Sequence, residues 1–323
     1  MSNFSVANST GVTDGADFIP EVWALETVAA YKSNLVLAQL VSLIPHVGKK
    51  GDVIHIPFPT RGAATAKSEN VVVSVINMAD SVEKSITINQ HFHYARLIED
   101  RLEIQGLPSL RRFFTDDAGY ALAKQTDSSL IGLAATWGGS TAYLNSGTAD
   151  GGAKIGDGTT AWVQTGSGNG SAISDAGVRE IVQDFDDEDV PSRDRYLVIP
   201  PVEKKRMLGN TRYTEQAFVG EVGMANSIRN GLVGDLYGFE IYVSSNLATV
   251  QSSDCTNYRP ALFFQRDSLA LAEQLTPRVQ EQYKLEALGD LIVADSLYGV
   301  ATLRGNVTAE RGRGARAIMV PAA

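Results

Sequence analysis

Three of the four histidines in this 323-residue chain are the side chains best placed by type and spacing to do chemistry. His91 and His93 stand two apart on a run that alternates like a strand, the spacing at which two imidazoles can face one metal ion. His55 lies on an earlier alternating run that could cross over to add a third nitrogen. His55, His91 and His93 are therefore the candidate metal ligands, and a metal-dependent enzyme, with Asp or Glu supplied from elsewhere, is the activity they would serve. The plainer reading is a pair of histidines on a solvated strand face, because no further ligand stands near them in sequence.

Other motifs fall short of a reaction. The single cysteine, Cys255, lies in a polar Ser-Ser-Asp-Cys-Thr-Asn stretch and cannot form an internal disulfide. The run Asp184-Phe185-Asp186-Asp187-Glu188-Asp189 lacks the turn glycine and closing glutamate of a calcium loop, so it reads as a solvated helix stop. Gly166-Ser167-Gly168-Asn169-Gly170 matches neither the dinucleotide fingerprint nor the Walker pattern and reads as a linker. No G-x-S-x-G elbow is present. No catalytic residue and no cofactor is expected.

The formal charge of -9 and the hydrophobic fraction of 44% describe a folded, acidic protein. Gripping nucleic acid needs an excess of Lys and Arg, so any DNA contact is expected to be non-specific. The first 20 residues are polar, without a basic leader or an apolar core, and no run of 18 apolar residues occurs. Neither a secretory signal nor a membrane span is expected, and the chain is expected to be made in the cytosol.

The elements that would carry these residues change character along the chain. Residues 1–19 are small and polar and read as an arm that orders only on a partner. Helical spacing of Val28, Leu35, Val36, Leu40 and Val41 predicts one or two short helices ending before Pro45. From Gly51 the period becomes two: Ile54, Ile56 and Phe58, then Val82, Ile86, Ile88, Phe92 and Tyr94 on one face against Glu83, Thr87, Asn89, His91 and His93 on the other. Residues 51–94 therefore read as a long hairpin with its tip near 61–70, too thin to be stable alone.

Pro108 opens the longest helical pattern, about 28 residues or roughly 40 Å at 1.5 Å per residue. Residues 138–170 are glycine-rich and read as loop or small hairpins. Ser174 can cap a helix through Asp184, a strand follows at 196–199, and Pro201 starts a helix through Leu208. Gly238 turns into the strand Phe239-Glu240-Ile241-Tyr242-Val243. Residues 261–304 hold strand-like runs, and Arg311-Gly312-Arg313-Gly314-Ala315-Arg316 reads as a flexible basic tail.

That order resembles the major capsid proteins of tailed bacteriophages with the Hong Kong 97-type fold. Phe18-Ile19-Pro20-Glu21-Val22-Trp23 is similar to the family's arm-to-helix junction, and Gly51-Asp52-Val53-Ile54-His55-Ile56-Pro57 to the start of its extended loop. The stretch from Asp189 through Val190-Pro191-Ser192-Arg193-Asp194-Arg195-Tyr196 to Pro201 resembles the helix-turn-strand of its axial domain. Gly238-Phe239-Glu240-Ile241-Tyr242-Val243-Ser244-Ser245-Asn246 resembles the strand that follows it.

The resemblance implies an α+β fold divided into an arm with short helices (1–48), an extended β-hairpin loop (49–94), and a peripheral domain (95–170 and 261–310) built on a long helix at 107–137. An axial domain (171–260) and the flexible tail (311–323) complete it. It implies a structural subunit of an icosahedral virion shell, assembled as hexamers and pentamers in the bacterial cytoplasm around double-stranded DNA. A portal and a separate scaffolding protein are the expected partners, because the arm leaves no room for an internal scaffolding segment. Trp23 at the junction, and Arg61, Lys67 and Glu69 at the hairpin tip, become candidate contacts between subunits. The alternatives are an encapsulin-like nanocompartment shell, the metal-dependent enzyme above, and a tail or fibre component.

Overall fold

The computed structural model describes residues 35–48, 50–58, 64–73, 82–100, 110–134, 153–162, 169–210, 235–247, 258–304 and 314–322. Trp23, Arg61 and Cys255 lie outside them, as does the arm at 1–19.

Two sheets and a ribbon organise the chain. The first sheet has the order β1 (Ser42–Pro45), β9 (Leu269–Lys284), β10 (Gly289–Thr302), β4 (Gln90–Glu99). The second runs β11 (Ala315–Pro321), β8 (Tyr258–Gln265), β5 (Arg195–Ile199), β7 (Phe239–Val243), β6 (Asp235–Leu236). β2 (Val53–Phe58) and β3 (Val82–Thr87) pair only with each other.

The second sheet is buried by α3 (Asp175–Asp187) and α4 (Pro201–Leu208). Ser174 caps α3 by accepting the Gly177 N–H, and Pro201 fills the first turn of α4, where a missing N–H costs nothing. Val178, Ile181 and Phe185 of α3 and Met207 of α4 pack on Leu197, Ile199, Phe239, Phe263 and Ile318. On the other face, Tyr196, Val198, Leu262 and Phe264 share a core with the single-turn helix α1 (Leu37–Leu40) and with Leu130 and Ile131 of α2 (Leu110–Leu133). Farther along α2, Ala118 and Leu122 pack on Ala294, Phe92 and Tyr94 of the first sheet. One helix, about 36 Å long at 1.5 Å per residue, thus spans both cores.

Buried charges tie the segments together. Arg195 donates to Asp186 at 2.7 Å, to the Val190 carbonyl at 2.6 Å and to the Pro191 carbonyl at 3.0 Å, with its guanidinium over Phe185 and Phe239. Fully buried Glu203 accepts from the Ile173 N–H and from Arg206, which also donates to the Pro321 carbonyl.

Several expectations from sequence need correction. Residues 42–45 are not helical: they form β1, parallel to 270–273 of β9, because Leu43 and Ile44 find an edge to pair with. The hairpin does not reach residue 94. It ends at Thr87, and Gln90–Glu99 leaves as β4 to pair with β10, crossing over Gly299, where a Cβ would lie 2.5 Å from the Thr87 carbonyl oxygen. The face assignment itself holds, since Ile86 and Ile88 are buried while Glu83, Thr87, Asn89, His91 and His93 are exposed. Residues 315–321 are no flexible tail: they are β11, and its Arg316 is buried with Asp184 3.6 Å from its Nε. The acidic run accordingly is not wholly solvated, since Asp184 and Asp186 each meet a buried arginine. A boundary at residue 260 would cut β8; the chain changes sheet at the 3-10 turn Arg266–Ser268.

Part of the glycine-rich stretch is also packed. Residues 153–162 fold into a tight turn in which Asp157 accepts from the Thr159 and Thr160 N–H groups. Gly156 sits against the approach to α3, where a Cβ would lie 1.8 Å from the Ala172 carbonyl oxygen.

Glu203→Ala leaves the buried Ile173 N–H without its carboxylate acceptor and takes from Arg206 its ion-pair partner, though not its bond to the Pro321 carbonyl. Removing one partner of a buried ion pair costs about 3–5 kcal/mol, and since Arg206 keeps some access to water the loss expected here is about 3 kcal/mol. Chemical denaturation of the isolated chain measures it.

Candidate assembly surfaces

The long strands β9 and β10 leave the body of the molecule together. The first four residues of β9 are buried and its last nine are exposed, so a strand of 16 residues serves half as core and half as a projecting blade with β10 and β4. Common strands have about 5–6 residues. The cross-strand register sorts the blade's side chains. Ile98, Ile292, Ala294 and Tyr94 share the face covered by α2, whereas Leu97, Leu291, Val293, Gln280, Gln282 and His93 share the opposite face, which nothing among the described residues covers.

Apolar groups collect at the blade's end. Leu285 and Leu288, in the turn joining β9 to β10, are 79% and 64% exposed; Tyr283 and Leu97, a few residues from the turn on opposite faces, and Val279 farther back are exposed as well. Beyond Glu273, where β1 stops, no described strand pairs the outer edge of β9, and none pairs the outer edge of β4. Open edges of this kind are templates for another chain unless they are guarded; Pro277, Arg278, Glu281 and Lys284 on β9 are guards of the usual types.

The β2–β3 ribbon is the second such surface. Its root is held: Ile54, Ile56 and Ile86 pack on Ala270, Ala272, Ala301 and Leu303, and the Ile88 N–H reaches the Asp52 carbonyl at 2.7 Å. Away from the root, residues 64–73 are exposed throughout, with Val71 58%, Val72 90% and Val73 62% exposed. Among the described residues nothing packs on these three consecutive β-branched side chains, and an exposed apolar run of this kind marks a surface for a partner. Lys67 and Glu69, expected as subunit contacts, are exposed in this same stretch.

The histidines do not converge. His55, on β2, meets Glu83 of its own ribbon at 2.5 Å, while His91, on β4 in the other sheet, approaches Asp295 at 3.5 Å; His93 is exposed on the blade. Among the described residues no group of three or more His, Cys, Asp or Glu side chains could hold a metal ion. The proposed His55, His91 and His93 site therefore has no geometric basis here: alternation put the pair on one face correctly, but His55 belongs to a different sheet. Nor does any described helix have the length and apolarity to cross a membrane.

Sequence reading passed over Asp295, which joins all three strands of the blade. It accepts from Arg278 Nε at 2.8 Å and Nη2 at 3.1 Å on β9, and His91 faces it from β4. Hydrogen bonds from Arg278 hold its carboxyl below the usual range, against desolvation, with a smaller contribution from His91. It lies where the β9–β10 register slips between Asp295 and Leu297, the kind of irregularity at which a strand bends.

No family model matches the chain, and no curated protein matches it in sequence. Its three-dimensional likeness to solved structures is extensive. The capsid structure of the cyanophage P-SCSP1u superposes with a TM-score of 0.70 at 19% identity, covering 99% of this chain and 97% of that one. A structure from Mycobacterium phage Che8 gives 0.66 at 20% identity, over 93% and 97%. The capsid of Ralstonia phage GP4 gives 0.66 at 15% identity, over 94% and 95%. The chain thus has the α+β Hong Kong 97-type capsid fold over nearly its whole length.

Because the Asp295 carboxyl is stabilised in its charged form by folding, its contribution is complete above the ordinary carboxylate value near 3.8 and fades as the pH falls through the lowered one. Asp295→Asn is expected to lower the melting temperature at pH 7 by about 2 °C, a modest shift because Arg278 is half exposed. The two curves should converge towards pH 2, as differential scanning calorimetry across pH would report.

Proposed function

We propose that the chain is the major capsid subunit of a tailed bacteriophage, assembling as hexamers and pentamers into the icosahedral shell that encloses double-stranded DNA. The observation that carries this reading is the joint presence of a capsid fold over 93–99% of the chain and two apolar projections left uncovered among the described residues. A soluble monomer gains nothing from Val72 or Leu285 in water, whereas a subunit that buries them against its neighbours gains about 25 cal/mol per Å² of apolar area.

In this reading the arm and ribbon overlap adjacent subunits, and the β9–β10 blade with α2 forms the peripheral domain. The five-stranded sheet with α3 and α4 forms the axial domain. Contacts of this kind are head-to-tail, and they close into rings when the rotation between copies closes. The single-chain ribbon is then completed as part of a larger sheet or face. A scaffolding protein guides the curvature, a portal occupies one vertex, and DNA touches the shell of this acidic chain without base-specific contact. The particle is assembled in the host cytoplasm. Among the described residues nothing favours an enzymatic reading or a cargo-housing shell over this one.

Electron microscopy with size-exclusion chromatography of the recombinant chain, alone and with its scaffolding protein, tests the proposal. Closed shells, or free hexamers and pentamers, are expected; a monodisperse monomer or dimer under both conditions would overturn it.

Val72→Asp and Leu288→Asp each alter a side chain that the isolated subunit leaves in water, so each should change subunit stability by no more than about 0.5 kcal/mol. Both should nonetheless cut shell yield severely. Thermal melting and sedimentation velocity on the same preparations separate the two effects.

A further inference from the structure

Asp127 is a fully buried carboxylate on α2, and no cation accompanies it among the hydrogen bonds and ion pairs of the described residues. Its two oxygens are divided between two segments that are far apart in sequence. Oδ1 accepts the N–H of Leu37, the first residue of α1, at 2.9 Å; Oδ2 accepts Nδ2 of Asn246, at the exit of β7, also at 2.9 Å. Asn246 is itself fixed, since its N–H donates to Ser244 Oγ at 3.2 Å.

Each segment depends on this carboxylate. α1 is a single turn, and Val36 at its N-cap offers no side chain to the open N–H groups, so Asp127 supplies the cap from another helix. Val36, Leu37, Leu40 and Val41 then pack with Leu130, Ile131 and Leu247 in one core. A buried carboxylate stripped of either donor keeps the desolvation cost and loses the compensation. The occupancy of one bond therefore bears on the other.

We propose that Asp127 is a coupling joint: it links the position of the arm root, residues 35–41, to that of the β7 exit, residues 244–247, so that a partner drawing on one segment loosens or tightens the other. The joint is a property of the single chain and stands independently of the assembly reading. It lies where the chain emerges from residues 1–34 on one side and enters residues 248–257 on the other.

Hydrogen exchange read by mass spectrometry on the full-length dispersed subunit tests it. Asn246→Ala, a change at the β7 exit, should accelerate exchange of the amides at 37–41 on the order of tenfold, the size expected for a hydrogen bond to a charged group. Amides of β5 and β8 serve as the control for global unfolding. Acceleration confined to 244–247, with 37–41 unchanged, would overturn the proposal.

The swap variant carrying Asp127→Asn and Asn246→Asp keeps an acceptor for Leu37 and reverses the donor and acceptor of the other bond. It should restore slow exchange at 37–41 relative to Asp127→Asn alone. If the swap exchanges as fast as the single variant, packing through Leu247 and not the carboxylate carries the connection, and the proposal fails. This second arm decides the matter even if Asn246→Ala does not fold.

Discussion

The structure depends on one continuous run, residues 258–302, that supplies strands to both sheets. β8 lies inside the second sheet, the turn Arg266–Ser268 redirects the chain, and β9 and β10 then form the middle of the first sheet. The turn is locked from within: the Ser268 hydroxyl donates to the Gly314 carbonyl at 2.8 Å, and the Leu303 N–H returns to the Ser268 carbonyl at 2.8 Å. With α2 laid across both cores, the two sheets cannot be rearranged without breaking the same set of buried contacts. A rigid body of this kind can hold long projections at a defined direction.

Those projections are where the single chain stops satisfying its own chemistry. Inside the body, Arg195, Glu203 and Arg316 have partners and the aromatic groups interlock, with Phe239 5.3 Å from Phe263 and 5.4 Å from Phe185. On the ribbon and blade, valines and leucines face water, and strand edges lack partners among the described residues. Hydrophobic burial is the dominant favourable term in both folding and association. A chain that meets it fully in one place and not in another is built to meet it with something else.

What was legible from sequence was local. The Ser174 cap, Pro201 in the first turn of α4, the run Tyr196-Leu197-Val198-Ile199 and the Gly238 turn into β7 each carry their own signal within a few residues, and each is where it was expected. The misread elements take their structure from distant partners. Residues 42–45 become a strand because they pair with 270–273, and 315–321 because they pair with β8, while buried Arg316 is tolerated because Asp184 lies beside it. The blade half of β9, Pro277-Arg278-Val279-Gln280-Glu281-Gln282-Tyr283-Lys284, has no clear apolar alternation, since both its faces are largely wet in the isolated chain. The histidines drew notice through spacing alone, while Asp295 and Asp127, which each bridge distant segments, look in sequence like ordinary surface carboxylates.

The central claim is that the ribbon and the blade are covered by other copies of the chain. Hydrogen exchange compared between dispersed subunits and assembled particles addresses it directly. Strong protection of the amides at 71–73 and 285–288 on assembly, with little change in β5 and β8, is the predicted result. Particles in which both stretches exchange as freely as in the dispersed subunit would contradict the account.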